Sequence, residues 1–456
     1  MQIRKPVRAA LMFVPAIVMA HAAWAQTFTT LSSFDGTNGA YSSYASLLQG
    51  LDGNFCGTAN YGGANGDGTV FNISPGGALS TFESFDIADG SYPAAALLQA
   101  TDGSFYGTTI DGGASGDCTV FKITLAGVLT TLHSFGGSDG IGPKAVLVQA
   151  TNGSFYGATL YGGADGYGTV FKITPGGVLT TLHSFVSTDG ANPDVALVQA
   201  ANGVLYGVTG FGGQHGYGTI FKITLGGKFA VIHNFNKTSG AEPYASLVQF
   251  GQGDLYGTTI GGGTSGYGAV YQTTTGGKVT TLHSFDGTDG KEPIGALVLG
   301  TDGNLYGTTA LGGANGYGTV FQITPGGALT TLHSFDYTDG DGPYAGLLQA
   351  TNGTFYGTTY SAGADGYGTV FSLSVGLGPF VKSLPTSGKI ASTVEILGTN
   401  LTGATSVVFN GTAASFTVVS ASEISTTVPV GATSGAVQVV TPGGTLSSNV
   451  AFRVLP

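Results

Sequence analysis

Charge is what this sequence most lacks. Only 9% of its 456 residues are Asp, Glu, Lys or Arg, against roughly a quarter in an ordinary soluble domain. The 14 basic residues are outnumbered by 25 acids, for a formal net charge of −11. Such a chain has no electrostatic footprint for nucleic acid. Cysteine is nearly absent. Cys56 and Cys118 replace a Tyr and a Gly of a repeated pattern, so they share no framework, and free thiols are expected rather than a disulfide. Long apolar runs are missing too. The longest, residues 9–20, is too short to span a bilayer. It follows Arg4, Lys5 and Arg8 and precedes Ala23-Trp24-Ala25, the pattern of a cleaved export leader over residues 1–25. A secreted, cell-surface or periplasmic protein is expected, with no transmembrane segment in the mature chain.

Helical periodicity is absent as well, and a different period takes its place. The chain is 42% apolar and contains 81 glycines, which suits strands joined by tight turns rather than disorder. The Phe that closes each TLHSF-like stretch falls at Phe85, Phe135, Phe185, Phe235, Phe285 and Phe335, a spacing of 50. Phe34 precedes Phe85 by 51. Each copy holds four strand-like runs, such as GALVLG, NLYGTTA, GTVFQIT and ALTTLHSF, separated by turn signals. Four short strands per 50 residues describe one propeller blade. The first outer run, TFTTLSSF at 27–34, has no blade of its own, while the last TVF run has no outer strand after it. Pairing the two closes a ring of seven and removes the exposed edges. The expected fold is therefore all-β. A seven-bladed β-propeller fills residues 26–375, closed by its N-terminal strand. A linker at 376–379 and an immunoglobulin-like β-sandwich at 380–456 follow.

The LYGTT, GG-x-x-GYGTVF and TPGG-x-LTTLHSF stretches resemble the GloVer-type tandem repeat of the "choice-of-anchor" family over roughly residues 27–375. The resemblance implies an exported bacterial protein and carries no general catalytic assignment. Residues 380–456 are similar to an IPT/TIG immunoglobulin-like domain, through Pro385-Thr386-Ser387-Gly388, Ile396-Leu397-Gly398-Thr399-Asn400-Leu401, Val408-Phe409-Asn410-Gly411 and Val428-Pro429. Some domains of this type bind DNA. This segment has only Lys382, Lys389 and Arg453 against Glu395 and Glu423, which gives no basic patch.

The blade topology places the crossover loops and the second-to-third loops on one face. Eighteen of the 23 carboxylates between residues 26 and 376 fall there, with only Lys144, Lys237 and Lys291. Most of these Asp residues read as turn formers. Asp286 and Asp289 are the candidate pair for a cation, calcium being the possible cofactor, although DGTDG lacks the alternating acids of an EF-hand loop. The same face gathers aromatics. Tyr167, Tyr217, Tyr267, Tyr317 and Tyr367 repeat too faithfully to be ligand contacts and are expected to pack over their own loops. Positions that vary between copies are better candidates: Tyr161, Phe211, His215, Tyr244, Tyr337 and Tyr344, with Tyr41, Tyr44 and Tyr92 beside them. His133, His183, His233, His283 and His333 lie one per blade on outermost strands, too far apart to share a metal, and read as packing residues. Gln49, Gln99, Gln149, Gln199, Gln249 and Gln349 end the innermost strands and are expected to line the channel.

No nucleophile motif accompanies a base. The expected function is a non-catalytic binding or scaffold role, for a polysaccharide or an envelope protein. The alternatives are an Asp-based carbohydrate hydrolase or lyase and a purely structural extracellular component.

Overall fold

The computed structural model describes residues 26–251 and 253–455. The export leader expected at 1–25 lies outside them. Among the described residues every regular element is a strand. Seven four-stranded antiparallel sheets lie between Thr27 and Ser374. Six are built from consecutive strands, for example Val298–Leu299, Leu305–Thr309, Thr319–Ile323 and Leu329–Ser334. The seventh is composite. Strands Leu348–Gln349, Phe355–Thr358 and Thr369–Ser374 are completed by Thr27–Ser33, in which Thr27 pairs with Ser374 and Ser33 with Thr369. The architecture is a propeller-like β fold.

The repeated letters have structural reasons. The second strand of each sheet is buried along its length, so both of its faces must be apolar or hydrogen-bonded. In LYGTT the glycine makes room for an aromatic ring. A Cβ on Gly307 would stand 2.6 Å from Cζ of Phe321, so no larger residue fits there. The last Thr closes a buried pair, with Thr309 Oγ1 and Thr319 Oγ1 2.8 Å apart. Thr319 Oγ1 then donates to Asp289 O, which ties the sheet to the preceding crossover. Cores form between sheets rather than within them: Phe335 packs on Phe371, and Phe34 on Phe71. Deleting such a ring costs roughly 3–5 kcal/mol.

Two sequence expectations are sharpened here. Most innermost strands pair over only two residues. Much of the inner run is instead held by threonine hydroxyls, as when Thr108 Oγ1 donates to Pro143 O and Thr308 Oγ1 to Ala345 O. The glutamines, expected along the channel, staple neighbouring sheets together. Gln149, Gln199, Gln249 and Gln349 each accept, through Oε1, a backbone N–H from the preceding repeat's turn. Gln49 does the same to Thr351 at 2.9 Å, joining the first sheet to the last. Both cysteines are buried and free, and burial pushes each thiol up to about 12.

After Ser374 two more four-stranded sheets enclose a core of their own, which includes Val394, Ile396, Val407, Phe409, Val439 and Phe452. This unit sits on turns of the first and last repeats. Phe380 N donates to Thr351 O, Thr351 and Thr399 hydroxyls lie 2.8 Å apart, and Ser422 Oγ donates to Leu51 O. Lys382 Nζ donates to Gln349 O at 2.7 Å, and burial pulls the lysine down to about 8.

Candidate functional site

The crossover loops and the second-to-third loops do meet on one face, through bridges such as Ile141 with Tyr161 and Ala191 with Phe211. Each crossover turns through a residue that commonly has positive φ, such as Asn192 at 58° and Glu242 at 58°. The N–H of that residue donates to the carbonyl of the repeated loop position, as from Asn192 to Tyr167 and from Glu242 to Tyr217. A proline follows in six copies, and the next residue is thereby fixed in position. At that next position the seven copies carry Tyr44, Ala94, Lys144, Asp194, Tyr244, Ile294 and Tyr344. The frame repeats and these side chains do not.

Tyr44, Lys144, Asp194, Tyr244 and Ile294 line a single cavity of about 330 Å³. Five repeats contribute to it, so it lies where the repeats converge. Leu160, Tyr161, Asn192, Phe211 and Ile260 complete the walls. Tyr244 lies against Gly210, where a Cβ would meet its ring at 3.0 Å. Gly210 is the only glycine among the seven copies of its position. The Asn192 amide donates to Leu160 O, which fixes its orientation.

The polar groups of the cavity are not matched to one another. Asp194 is half-buried, and its Oδ1 is sealed from solvent with no hydrogen-bond partner. Burial pushes the Asp194 carboxyl up to about 6, against the opposing pull of Lys144. Yet among the described residues Lys144 and Asp194 form no ion pair. The Lys144 ammonium stands 5.5 Å over the Tyr44 ring. Burial, and then the Asp194 charge, raise the Tyr44 and Tyr244 phenols. The cavity thus offers a donor-only ammonium and an acceptor-only carboxylate between aromatic walls. A ligand hydroxyl can accept from the ammonium and donate to Oδ2 of the carboxylate, Oδ1 being the sealed oxygen.

Three of the six ligand candidates read from the sequence, Tyr161, Phe211 and Tyr244, line the cavity. Tyr344 borders it by contact with Tyr44, ring centroids 6.0 Å apart. His215 is exposed on its loop and Tyr337 packs on Tyr317, and neither lines the cavity. Lys144 and Asp194 were missed as a pair, because they count among many crossover charges. The signal was available, since theirs is a repeat position that carries Tyr, Ala, Lys, Asp and Ile in turn.

Asp286 and Asp289, the candidate cation pair, are both bonded within their own turn. Asp286 Oδ1 accepts from Thr288 N, Thr288 Oγ1 and Asp289 N, bonds that also lower its pKa. Asp289 Oδ1 accepts from Asp286 N, and its Oδ2 lies 2.6 Å from His283 Nε2. Both carboxylates are engaged in closing their own turn. Among the described residues no group of three or more His, Cys, Asp or Glu is placed to hold a metal ion. The histidines serve packing: His133, His183 and His333 pair with Asp139, Asp189 and Asp339, and His333 stacks on Phe28 of the N-terminal strand at 3.6 Å. Repeated tyrosines cover the crossover of their own sheet, as Tyr267 does beside Gly287 and Lys291. No helix among the described residues is long and apolar enough to cross a membrane.

Solved structures resemble this chain in fold. One is a fungal alcohol oxidase of the AA5 family, in complex with copper. It is 13% identical, with a TM-score of 0.55, over 94% of this chain and 99% of that one. Another is the extracellular domain of a hybrid two component system from B. thetaiotaomicron. It is 10% identical, with a TM-score of 0.51, over 94% of this chain and 58% of that one. At these identities the likeness is one of fold alone. No curated protein matches the chain in sequence. The family model of the Gloeobacter/Verrucomicrobia repeat does, over residues 42–252 and 196–418, and the chain belongs to that family.

Proposed function

We propose that this is an exported, non-catalytic binding protein whose ligand is a glycan held in the convergent cavity. In this reading the seven sheets are blades of a closed seven-bladed propeller, and residues 380–456 form an immunoglobulin-like unit of the IPT/TIG type. The observation that carries the proposal is the mismatch inside the cavity. The Asp194 carboxylate and the Lys144 ammonium both line it, and among the described residues they form no ion pair, while Oδ1 is sealed off without a partner. Burying an unpartnered carboxylate oxygen is costly, and a scaffold selected only for stability has no use for it. Sugar hydroxyls are donors and acceptors at once, and the aromatic walls suit the apolar faces of a pyranose ring.

The hydrolase reading is weaker on this geometry. Among the described residues Asp194 is the only carboxylate lining the cavity, whereas glycosidase chemistry calls for two. The copper of the alcohol oxidase finds no corresponding donor cluster among the described residues.

A glycan-array screen of the mature protein tests the proposal. Binding is expected for the parent protein and for variants of the opposite turns, Asp102→Ala, Asn152→Ala and Asp302→Ala. It is expected to be lost in Asp194→Asn and Lys144→Met. The reverse pattern would place the site elsewhere.

A further inference from the structure

We infer that the cavity is the end-stop of a longer track, so that the ligand is a linear neutral polysaccharide gripped by its chain end. This rests on the glycan reading above and extends it from one sugar to a polymer. The track is a chain of tyrosine rings that begins in the cavity wall. Tyr44 meets Tyr344 at 6.0 Å, Tyr344 meets Tyr360 at 5.4 Å, and Tyr360 meets Tyr41 at 5.1 Å. Tyr41 meets Tyr61 at 5.9 Å, and Tyr61 meets Tyr92 at 4.9 Å. Six rings thus run without a break across loops of the last, first and second repeats.

None of these six tyrosines is fully buried, and Tyr44 and Tyr61 are more than 40% exposed. They come from unlike repeat positions. Tyr44 and Tyr344 belong to the position after the proline, Tyr41 and Tyr92 to the left-handed position before it, and Tyr360 and Tyr61 to the second-to-third loops. The repeat itself therefore does not require the run. Tyr41 and Tyr92 take φ of 55° and 57°, the left-handed turn that this position adopts in every copy, through Gly142, Asn192, Glu242, Glu292 and Gly342 in the others, so the turn accepts many residues and does not itself call for a ring.

The occupant follows from charge and shape. The chain carries a net charge of −11, and its carboxylates crowd this face. An anionic polymer would be repelled. A cationic one would be drawn to the face but would set like charge against Lys144 in the cavity. A neutral chain of pyranoses meets neither penalty and presents an apolar ring face to each tyrosine. Among the described residues the run of rings leaves the cavity only from Tyr44 toward Tyr344, so a chain that follows the rings ends in the cavity. Each further unit on the rings adds a weak contact at an effective concentration set by the first.

The test uses the mature full chain and neutral gluco-oligosaccharides of one to six units, with a cyclic glucan of the same units as the endless control. Calorimetry should show affinity rising roughly tenfold or more from the single sugar to the hexasaccharide, and no binding of the cyclic glucan. In the double variant Tyr61→Ala/Tyr92→Ala the gain between the tetrasaccharide and the hexasaccharide should vanish, with the thermal unfolding curve retained. Affinity independent of length overturns the track and leaves the cavity as a single-sugar site. Equal affinity for the cyclic glucan overturns end-binding. Failure of every neutral oligosaccharide overturns both the track and the glycan reading beneath it.

Discussion

Asp194 is where stability and binding pull apart. An ordinary Asp loses its proton near pH 3.9, but burial moves Asp194 to about 6. Between those values the folded protein holds more protons than the unfolded chain. Its contribution to stability is therefore greatest below pH 4 and declines as pH rises through 6. At pH 7 the charged side chain is a liability that Asn would not share. Asp194→Asn is expected to raise the melting temperature by about 1–3 °C at pH 7, and to change it little at pH 4, while abolishing ligand binding. Calorimetry at the two pH values checks this, and a variant less stable at pH 7 would contradict it. A second residue shows the opposite case. His233 Nε2 is buried without a partner, because the fourth copy has Ser239 where others have Asp139, Asp189, Asp289 and Asp339. Ser239→Asp should complete the pair and stabilise by about 1 kcal/mol, measured by chemical denaturation. If stability falls instead, the pairs seen in the other copies are not stabilising ones.

At the scale of elements, the sequence shows almost everything that repeats. The 50-residue period, the four strands and the borrowed N-terminal strand could all be read from it, because each sheet needs the same burial pattern as the last. What could not be read is interaction across repeats. The glutamines read only as channel residues because their partners, turn N–H groups some 48 positions away, leave no local pattern. The last sheet is completed by the pairing of Thr27–Ser33 with Thr369–Ser374 and by Phe34 N on Gly368 O, and the first sheet is tied to it by Gln49 on Thr351. Removing the first of these exposes a long sheet edge. A chain beginning at Asp35 is expected to lose cooperative unfolding or to aggregate, as seen by circular dichroism and size-exclusion chromatography. An unchanged melting curve would mean that the N-terminal strand does not bear on closure.

For the molecule as a whole, the open question is how the C-terminal unit is tied to the repeats. Its own strands and core were legible from alternating apolar residues such as Val394, Ile396, Val407 and Phe409. Its seat was not, because Thr351 reads like Thr101 and Thr301 in the other copies. Those two are exposed, and only Thr351 is fully covered. At this seam the Lys382 ammonium reaches Gln349 O, its one side-chain hydrogen bond among the described residues, with the Phe380 ring 5.5 Å away. An ammonium has three donors, so the buried charge is under-satisfied. The depressed pKa of about 8 records this. Between pH 8 and the ordinary lysine value near 10.4, the unfolded chain binds the proton and the folded one does not. Stability contributed by this residue therefore rises with pH across that window and is lowest below it. Lys382→Met retains the stem and removes the charge. It should melt higher than the parent protein at pH 7, and the difference should shrink steadily as pH is raised from 8 to 10.4. Taking the difference between two chains that share every other titrating group cancels the tyrosines that ionise in the same range. A gap that stays constant with pH would show that the ammonium is solvated at the seam. A variant that melts lower at pH 7 would show that the single bond to Gln349 outweighs the burial of the charge.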